Sequence, residues 1–220
     1  MGKWIFSAIA SWAILIAGCA STKNIPPGSD SQTGSAEKNT AQPKKDDKMP
    51  EIPAVPVVTI ETSLGTIKAE LWPDKAPETV KNFLQYVHDK FYDGLIFHRV
   101  IDTYMIQGGG FTPDMKEKEN HAPIRNEASA EAGNARGTLA MARTSDIHSA
   151  TSQFFVNLLD NNFLNHRSKT PEGFGFCAFG KVISGMDVVD AIGKVRTGNR
   201  GHFQDVPVDP VIIKSVRLAR

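Results

Sequence analysis

The sequence is poor in cysteine, in excess charge and in long apolar runs. Its two cysteines, Cys19 and Cys177, cannot form a disulfide framework, and neither belongs to a CxxC motif. The 25 lysines and arginines nearly balance the 24 aspartates and glutamates, so a net charge of +1 gives no general attraction for nucleic acid. No apolar run reaches the roughly 18–20 residues that a membrane-spanning helix needs. With 40% hydrophobic residues, the composition is that of an ordinary globular protein.

The common catalytic motifs are also missing. None of the six histidines forms an HxxxH or HExxH pair, so we expect no metal site. There is no GxSxG nucleophile motif, and the glycines at 108–110 are not followed by the Gly-Lys-Ser/Thr of a phosphate loop. We expect those glycines to form a bend where backbones approach closely. Cys177 lies among apolar residues, which favours a buried, inert thiol. If the chain is an enzyme, the absence of these motifs indicates that it works without covalent chemistry.

The N-terminus has the pattern of a bacterial export signal. Lys3 precedes an uncharged stretch at 4–17, whose 14 residues suit the core of a signal peptide and are too few to span a bilayer. The small residues Ala17 and Gly18, followed by Cys19, resemble the lipobox of bacterial lipoproteins. That resemblance implies that residues 1–18 are removed and that acyl chains on Cys19 anchor the chain to a membrane. The alternative is an ordinary secretory signal with an incidental cysteine.

Residues 19–53 differ in composition from the rest of the chain. Small, polar and charged residues dominate there, and no apolar period survives. Such a segment buries too little surface to offset its chain entropy, so we expect a disordered linker with a reach of roughly 30–35 Å. The folded domain is then predicted over residues 54–220, a length sufficient for one core.

The sequence predicts that the domain is mainly β. Val58 and Ile60 alternate with polar residues, a turn follows, and residues 66–71 alternate again, which predicts a hairpin. A helix begins at Pro77 and carries an apolar stripe, and a second short helix fits residues 186–192. Further strands are predicted at 95–106, 137–142, 153–158, 174–183 and 211–218. This pattern indicates an antiparallel barrel or sandwich with two helices.

One strand carries a residue that is costly to bury. Arg99 lies in the otherwise apolar segment FHRVIDTYMIQGG, residues 97–109. Two-residue periodicity places Arg99 and Ile101 on one face and His98 on the other. The guanidinium requires either a cleft, where it would stand beside Gln107 and an apolar pocket, or an internal salt bridge. The residues alone leave both interpretations open.

This segment resembles the signature of the cyclophilins, which are peptidyl-prolyl cis-trans isomerases. The resemblance continues with GTLAMA at 137–142, SQFF at 152–155, Phe163-Leu164 and FGKV at 179–182, in the order of the family. It covers almost all of residues 55–220 and is strongest to bacterial periplasmic-type members. The family fold is an eight-stranded antiparallel β-barrel capped by two α-helices, and we expect that fold here.

The resemblance also implies roles for individual residues. Arg99 matches the catalytic arginine of the family, and Gln107 matches the glutamine that orients the substrate backbone. The remaining positions match the proline pocket, its rim and the backbone that holds the residue before proline: Tyr104, Met105, Ala142, Arg143, Gln153, Phe155, Phe163, Leu164 and Phe176.

Some of these positions depart from the common family pattern. Phe163 stands where cyclosporin-sensitive members have a tryptophan, which removes an indole N–H donor and predicts weak cyclosporin binding. Tyr104 replaces a phenylalanine, and Phe176 occupies a place often held by histidine or tyrosine. Arg143 replaces an asparagine whose contact is largely through the backbone. Because Arg99 and Gln107 are unchanged, we expect isomerase activity, and the resemblance implies that this activity needs no cofactor.

The expected partners are proline-containing segments of unfolded or exported proteins, whose folding the enzyme would assist at the cell envelope. The chain is expected to be a monomer. Ala20 after the lipobox cysteine favours the outer membrane, facing the periplasm, in a Gram-negative host. In a Gram-positive host the same signal leads to the outer face of the cell membrane. A proline-binding adhesion or chaperone module, in which turnover is incidental, is the alternative function.

Overall fold

The computed structural model describes residues 53–219. The signal peptide predicted at 1–18, the lipidation site Cys19 and all but the last residue of the predicted linker lie outside this range. Within it are ten strands, two α-helices and one 3₁₀ turn: β1 (Val57–Thr62), β2 (Gly65–Leu71), α1 (Pro77–His88), β3 (Ile96–Ile101), β4 (Met105–Gly108), β5 (Thr138–Met141), β6 (Phe154–Asn157), the 3₁₀ turn (Asn162–Leu164), β7 (Ala178–Ser184), α2 (Met186–Gly193), β8 (Thr197–Arg200), β9 (Phe203–Pro207) and β10 (Val211–Leu218).

Eight of the strands close into an antiparallel barrel, as expected from the resemblance. Their order around the barrel is β1-β10-β3-β4-β6-β5-β7-β2. The barrel is closed by pairing between the two ends of the domain, with Val58 opposite Leu218. Closure leaves these strands without a free edge, which protects them from pairing with other chains.

The main hydrophobic core fills the barrel. On β1 and β2 every second residue points inward, so that Ile60 faces Ile67 across the pair and both are fully buried. The same alternation predicted the hairpin from the sequence. Aromatic rings occupy the centre, where Phe83 meets Phe154 edge to face at 5.5 Å between ring centroids.

The two helices cover this core. Helix α1 begins at Pro77, as predicted, because the fixed φ of proline suits the first helical turn. Its apolar stripe, which includes Val80, Phe83 and Val87, is buried against the barrel. Helix α2 begins after Gly185, which has a φ of 83°, and it buries Val189 and Ile192. Within residues 53–219, no helix is both long and apolar enough to cross a membrane.

The structure corrects three predicted strand boundaries and adds a hairpin. The run at 95–106 is two strands, β3 and β4, which are separated by a turn where Thr103 has a φ of 58°. The run at 174–183 becomes a strand only from Ala178, and the run at 153–158 only from Phe154. Strands β8 and β9, which the sequence did not predict, form a separate two-stranded hairpin.

The glycines at 108–110 form the expected close approach. Gly109 has a φ of 86°, a backbone conformation that other residues rarely adopt. A Cβ atom on Gly110 would lie 2.6 Å from Cγ of Gln153. These glycines therefore let β4 and the segment after it pass close to Gln153, a predicted site residue.

Candidate active site

A row of paired residues crosses five strands on the face of the sheet opposite the main core. Arg99 on β3 pairs with Gln107 on β4, and Gln107 pairs with Phe155 on β6. Phe155 pairs with Ala140 on β5, and Ala140 with Ala178 on β7. Because cross-strand partners share a face, the two polar side chains stand beside an apolar floor. The two alanines have short side chains, so they leave space above this face of the sheet.

A cavity of about 200 Å³ opens over this row. Its lining consists of eight residues that the sequence assigned to the site: Arg99, Tyr104, Met105, Gln107, Ala142, Arg143, Phe155 and Phe176. The structure thus brings the polar pair and most of the predicted proline pocket together around one opening.

Three further predicted residues lie around this cavity and do not line it. Gln153 lines a neighbouring cavity of about 300 Å³, which shares Gln107 with the first. Phe163 is 60% exposed and stacks on Tyr104 with 5.7 Å between ring centroids. Leu164 is buried in the small apolar cluster beneath the cavity.

Arg99 lies at a cleft, which was one of the two interpretations that the sequence left open, and its only ion pair among the described residues is partly exposed and not internal. Its side chain lines the cavity and is 45% exposed. Its Nε atom also lies 3.7 Å from Oδ2 of Asp205 on β9. The arginine therefore avoids the cost of burial, because it is partly solvated and has an opposite charge nearby.

The predicted direction of His98 is wrong. The pairing of β3 with β4 shifts between Phe97 and Arg99, so His98 is an extra residue in a β-bulge. The bulge turns His98 to the side of Gln107, where its Nε2 lies 3.5 Å from the Gln107 amide nitrogen. Simple two-residue alternation fails at this point because it assumes an uninterrupted ladder.

Two neighbours hold the Gln107 amide. Its nitrogen donates to Oε1 of Gln153 at 3.0 Å, and it also approaches the His98 ring. Burial, with the nearby charge of Arg99 as a smaller cause, lowers the pKa of His98 to about 4. The ring is therefore neutral at pH 7, so its Nε2 is able to accept a hydrogen bond from the Gln107 amide.

Arg143 folds over the aromatic end of the cavity. Its guanidinium carbon lies 4.7 Å from the centroid of the Phe176 ring, a cation–π contact. Its Nε donates to the carbonyl of Gly175 at 3.2 Å. Phe176 in turn meets Phe155 edge to face at 5.8 Å. The Arg143 side chain thus braces the pocket wall, a role that the sequence did not predict.

A chain of buried asparagines fixes the backbone around the pocket, and the sequence analysis missed it. The amide of Asn134 donates to the carbonyls of Leu164 and Phe176 at 3.2 and 3.1 Å. Asn161 donates to the carbonyl of Tyr104 at 3.0 Å and to Oδ1 of Asn157 at 2.7 Å. One feature of the sequence could have indicated this network. Asn157 lies at the end of an apolar strand, where a buried side-chain amide requires hydrogen-bond partners.

Cys177 is buried, as predicted from its apolar neighbours. Only 3% of the residue is exposed, and its Sγ lies 3.5 Å from the hydroxyl of Thr79. Burial, partly opposed by that hydroxyl, raises the pKa of the thiol to about 11. At pH 7 the thiol is protonated and enclosed, so it supplies no nucleophile.

Comparison with known proteins identifies a family and relatives that this chain resembles. The family described as "Cyclophilin type peptidyl-prolyl cis-trans isomerase" matches residues 57–218. Peptidyl-prolyl cis-trans isomerase cyp18 of Streptomyces antibioticus is 59% identical over 162 residues, which cover 73% of this chain and 97% of that protein. Peptidyl-prolyl cis-trans isomerase B of Escherichia coli (strain K12) is 55% identical over 163 residues, covering 74% and 99%.

Solved structures agree with these relatives. The crystal structure of a cyclophilin type isomerase of Cryptosporidium parvum superposes with a TM-score of 0.61 at 25% identity, covering 76% of this chain and 98% of that one. The same enzyme in the presence of the dipeptide Ala-Pro gives a TM-score of 0.60 at 26% identity, covering 74% and 99%. With the matched family, the closely similar bacterial enzymes and the closed eight-stranded barrel, the chain belongs to the cyclophilin-type peptidyl-prolyl cis-trans isomerases.

Proposed function

We propose that this isomerase rotates X–Pro bonds in exported proteins at the bacterial cell envelope, with Arg99 as its catalytic residue and Gln107 as the residue that orients the substrate. The observation that carries the catalytic proposal is the pairing of Arg99 with Gln107 beside the apolar floor. Among the described residues, one other arginine lines that cavity, Arg143, whose Nε donates to the Gly175 carbonyl and whose guanidinium lies over Phe176.

The chemistry of the bond explains why an arginine is useful. Rotation of an amide meets a barrier of about 18–20 kcal/mol, because the nitrogen shares its lone pair with the carbonyl. In the twisted transition state the lone pair is localised on nitrogen and accepts a hydrogen bond. A guanidinium aimed at that nitrogen stabilises the twisted form more than either planar form, which is the condition for catalysis. Arginine stays protonated throughout, so no proton transfer is involved.

The rest of the site fixes the two ends of the substrate. Met105, Phe155 and Phe176 form the apolar part of the cavity, which suits the proline ring. Gln107 and the backbone at Ala142 hold the residue before proline. With both ends fixed, the carbonyl between them swings past Arg99. The presence of an Ala-Pro dipeptide with the Cryptosporidium relative supports proline-containing peptides as the substrates here.

Substitution of Arg99 tests the mechanism. In a protease-free assay on a short X–Pro peptide, Arg99→Ala is expected to lower kcat/KM by about 10²–10³-fold, the usual cost of removing one transition-state donor. Arg99→Lys keeps the charge but loses the planar donor set, so an intermediate rate is expected. Arg125→Ala removes an exposed arginine that does not line the site and serves as the control. Full activity in Arg99→Ala would refute the proposed role.

The domain of residues 54–220 is suitable for this assay. It has a closed barrel with its own core, and the matched region makes up 97–99% of the two bacterial relatives. If this domain bound the peptide without accelerating isomerisation, the alternative of a proline-binding module would replace the catalytic proposal.

The proposed location rests on the N-terminal sequence. An uncharged stretch at 4–17, followed by Ala17, Gly18 and Cys19, supports export and lipid anchoring of the full chain. In cells that express the full chain, Cys19→Ser is expected to move the protein from the membrane fraction to the soluble fraction and to abolish labelling by a fatty acid. Cys177→Ser is the matched control and should change neither property. Unchanged membrane association of Cys19→Ser would exclude the lipid anchor.

A further inference from the structure

The hairpin of β8 and β9 lies against the strand that carries Arg99. Phe203 on β9 meets Phe111 edge to face at 5.2 Å, and Phe111 packs on the His98 ring at 4.6 Å. At the tip of the hairpin, Arg200 donates to the carbonyl of Pro113 at 2.5 Å. Both contacts are made with residues 111–113, in the segment after β4, and they hold the hairpin as a platform beside β3.

Asp205 projects from this platform toward the active site. It is two residues from Phe203, and its Oδ2 lies 3.7 Å from Nε of Arg99. Its φ is 58°, in the left-handed region, at a bulge where residues 204 and 205 of β9 oppose a single residue of β8. Bulges are frequent next to active sites, where they change the direction of a side chain.

We propose that Asp205 is a positioning residue that orients the Arg99 guanidinium toward the substrate nitrogen. The inference rests on the catalytic role proposed for Arg99. The contact engages Nε, the inner nitrogen of the guanidinium, so it does not require either terminal nitrogen. Arginine has considerable rotamer freedom, and a group that is held before the reaction loses less of it in the transition state.

A role in stability alone explains this contact poorly. The two side chains are 45% and 39% exposed, and exposed ion pairs contribute little to folding. The left-handed backbone at Asp205 belongs to the bulge of β9, and aspartate is one of the few residues other than glycine that adopt it. A bulge that places a half-exposed carboxylate beside the proposed catalytic group, for little gain in stability, is understandable if the contact serves the reaction.

The first test separates activity from stability. Asp205→Asn keeps the side-chain shape and tolerates the left-handed backbone but removes the charge. We expect kcat to fall about two- to fivefold, the range that corresponds to an exposed ion pair, with KM and the melting temperature unchanged. Asp205→Gly should lose activity to the same extent while its melting temperature rises or stays constant, because the strain is relieved. Asp209→Asn, an exposed change of equal charge on the following segment, should leave kcat unchanged.

The second test is a double-mutant cycle with Arg99→Ala on the domain of residues 54–220. If Asp205 acts through Arg99, then Asp205→Asn has no further effect on kcat once Arg99 is alanine. An equal loss in both backgrounds would overturn the proposal, as would full activity of Asp205→Asn alone. These outcomes are distinct from failure of the proposed function, which would appear as full activity of Arg99→Ala by itself.

Discussion

His98 is a neutral histidine enclosed beside the proposed catalytic arginine. It is 5% exposed, and its Nδ1 has no hydrogen-bond partner among the described residues. Burial, with the charge of Arg99 in second place, lowers its pKa to about 4 in the folded state. In the unfolded chain a histidine has a pKa near 6.5. The unfolded state therefore binds a proton at a higher pH than the folded state does.

The stability of the domain should depend on pH through this residue. Because the pKa of His98 is lower in the folded state, protonation of this residue does not destabilise the domain above about pH 6.5. As the pH falls from there to about 4, the unfolded state takes up the proton first, and the free energy of unfolding decreases. The loss amounts to about 3 kcal/mol at pH 4 relative to pH 7. Urea unfolding at both pH values should show that the wild type loses about that much more than His98→Gln. Parallel losses in the two proteins would contradict the depressed pKa.

Single residues also mark the limit of prediction from this sequence. Arg99 and Gln107 were predicted to share a site, and the structure places them opposite each other on β3 and β4. His98 was assigned to the wrong face because the extra residue of a bulge leaves no trace in the apolar pattern. The contact between Arg99 and Asp205 joins residues more than a hundred positions apart, which no local pattern reveals.

Three segments of the pocket are held in place by hydrogen bonds from asparagines. The carbonyls of Tyr104, Leu164 and Phe176 all accept from amides of Asn134 or Asn161. The carbonyls of Tyr104 and Leu164 also accept from the backbone N–H groups of Leu158 and Phe176, both at 2.9 Å, so side chains and backbone hold these segments together. Buried polar networks of this kind fix one arrangement when every member is satisfied.

Removing one member of this network should loosen the pocket. Asn161→Ala leaves Oδ1 of Asn157 without its Asn161 donor and removes one of the two hydrogen bonds to the Tyr104 carbonyl, which also accepts from the Leu158 N–H at 2.9 Å. Loss of the partner of a buried polar group costs about 1–3 kcal/mol of unfolding free energy. We expect KM for an X–Pro peptide to rise more than kcat falls, because the pocket wall shifts while Arg99 stays. Asn162→Ala, an exposed neighbour, is the control in urea unfolding and kinetics. A loss of stability with KM unchanged would show that the network serves folding alone.

The elements themselves differ in how readily the sequence reveals them. Helix α1 was predicted because its apolar stripe repeats at the helical period. The hairpin of β8 and β9 was missed because β8 is exposed almost throughout and shows no alternation. Closure of the barrel required the family resemblance, since the pairing of Val58 with Leu218 joins the two ends of the domain.

At the scale of the whole molecule, one closed barrel carries the site. Its eight strands leave no open edge, and the residues that line the cavity are spread over positions 99–176 of the sequence. The monomer expected from the sequence stays a prediction. The family match begins at residue 57, so the signal and anchor that we propose precede the isomerase domain in the sequence.

The central claim is that Arg99 lowers the barrier to rotation and does little for substrate binding. Exchange NMR on an Ala-Pro-containing peptide measures both quantities in one sample, through the exchange rate at saturation and the dissociation constant. For Arg99→Ala we predict an exchange rate reduced by at least about a hundredfold and a dissociation constant within about threefold of the wild type. An undiminished exchange rate, or a loss of binding as large as the loss of rate, would contradict the claim.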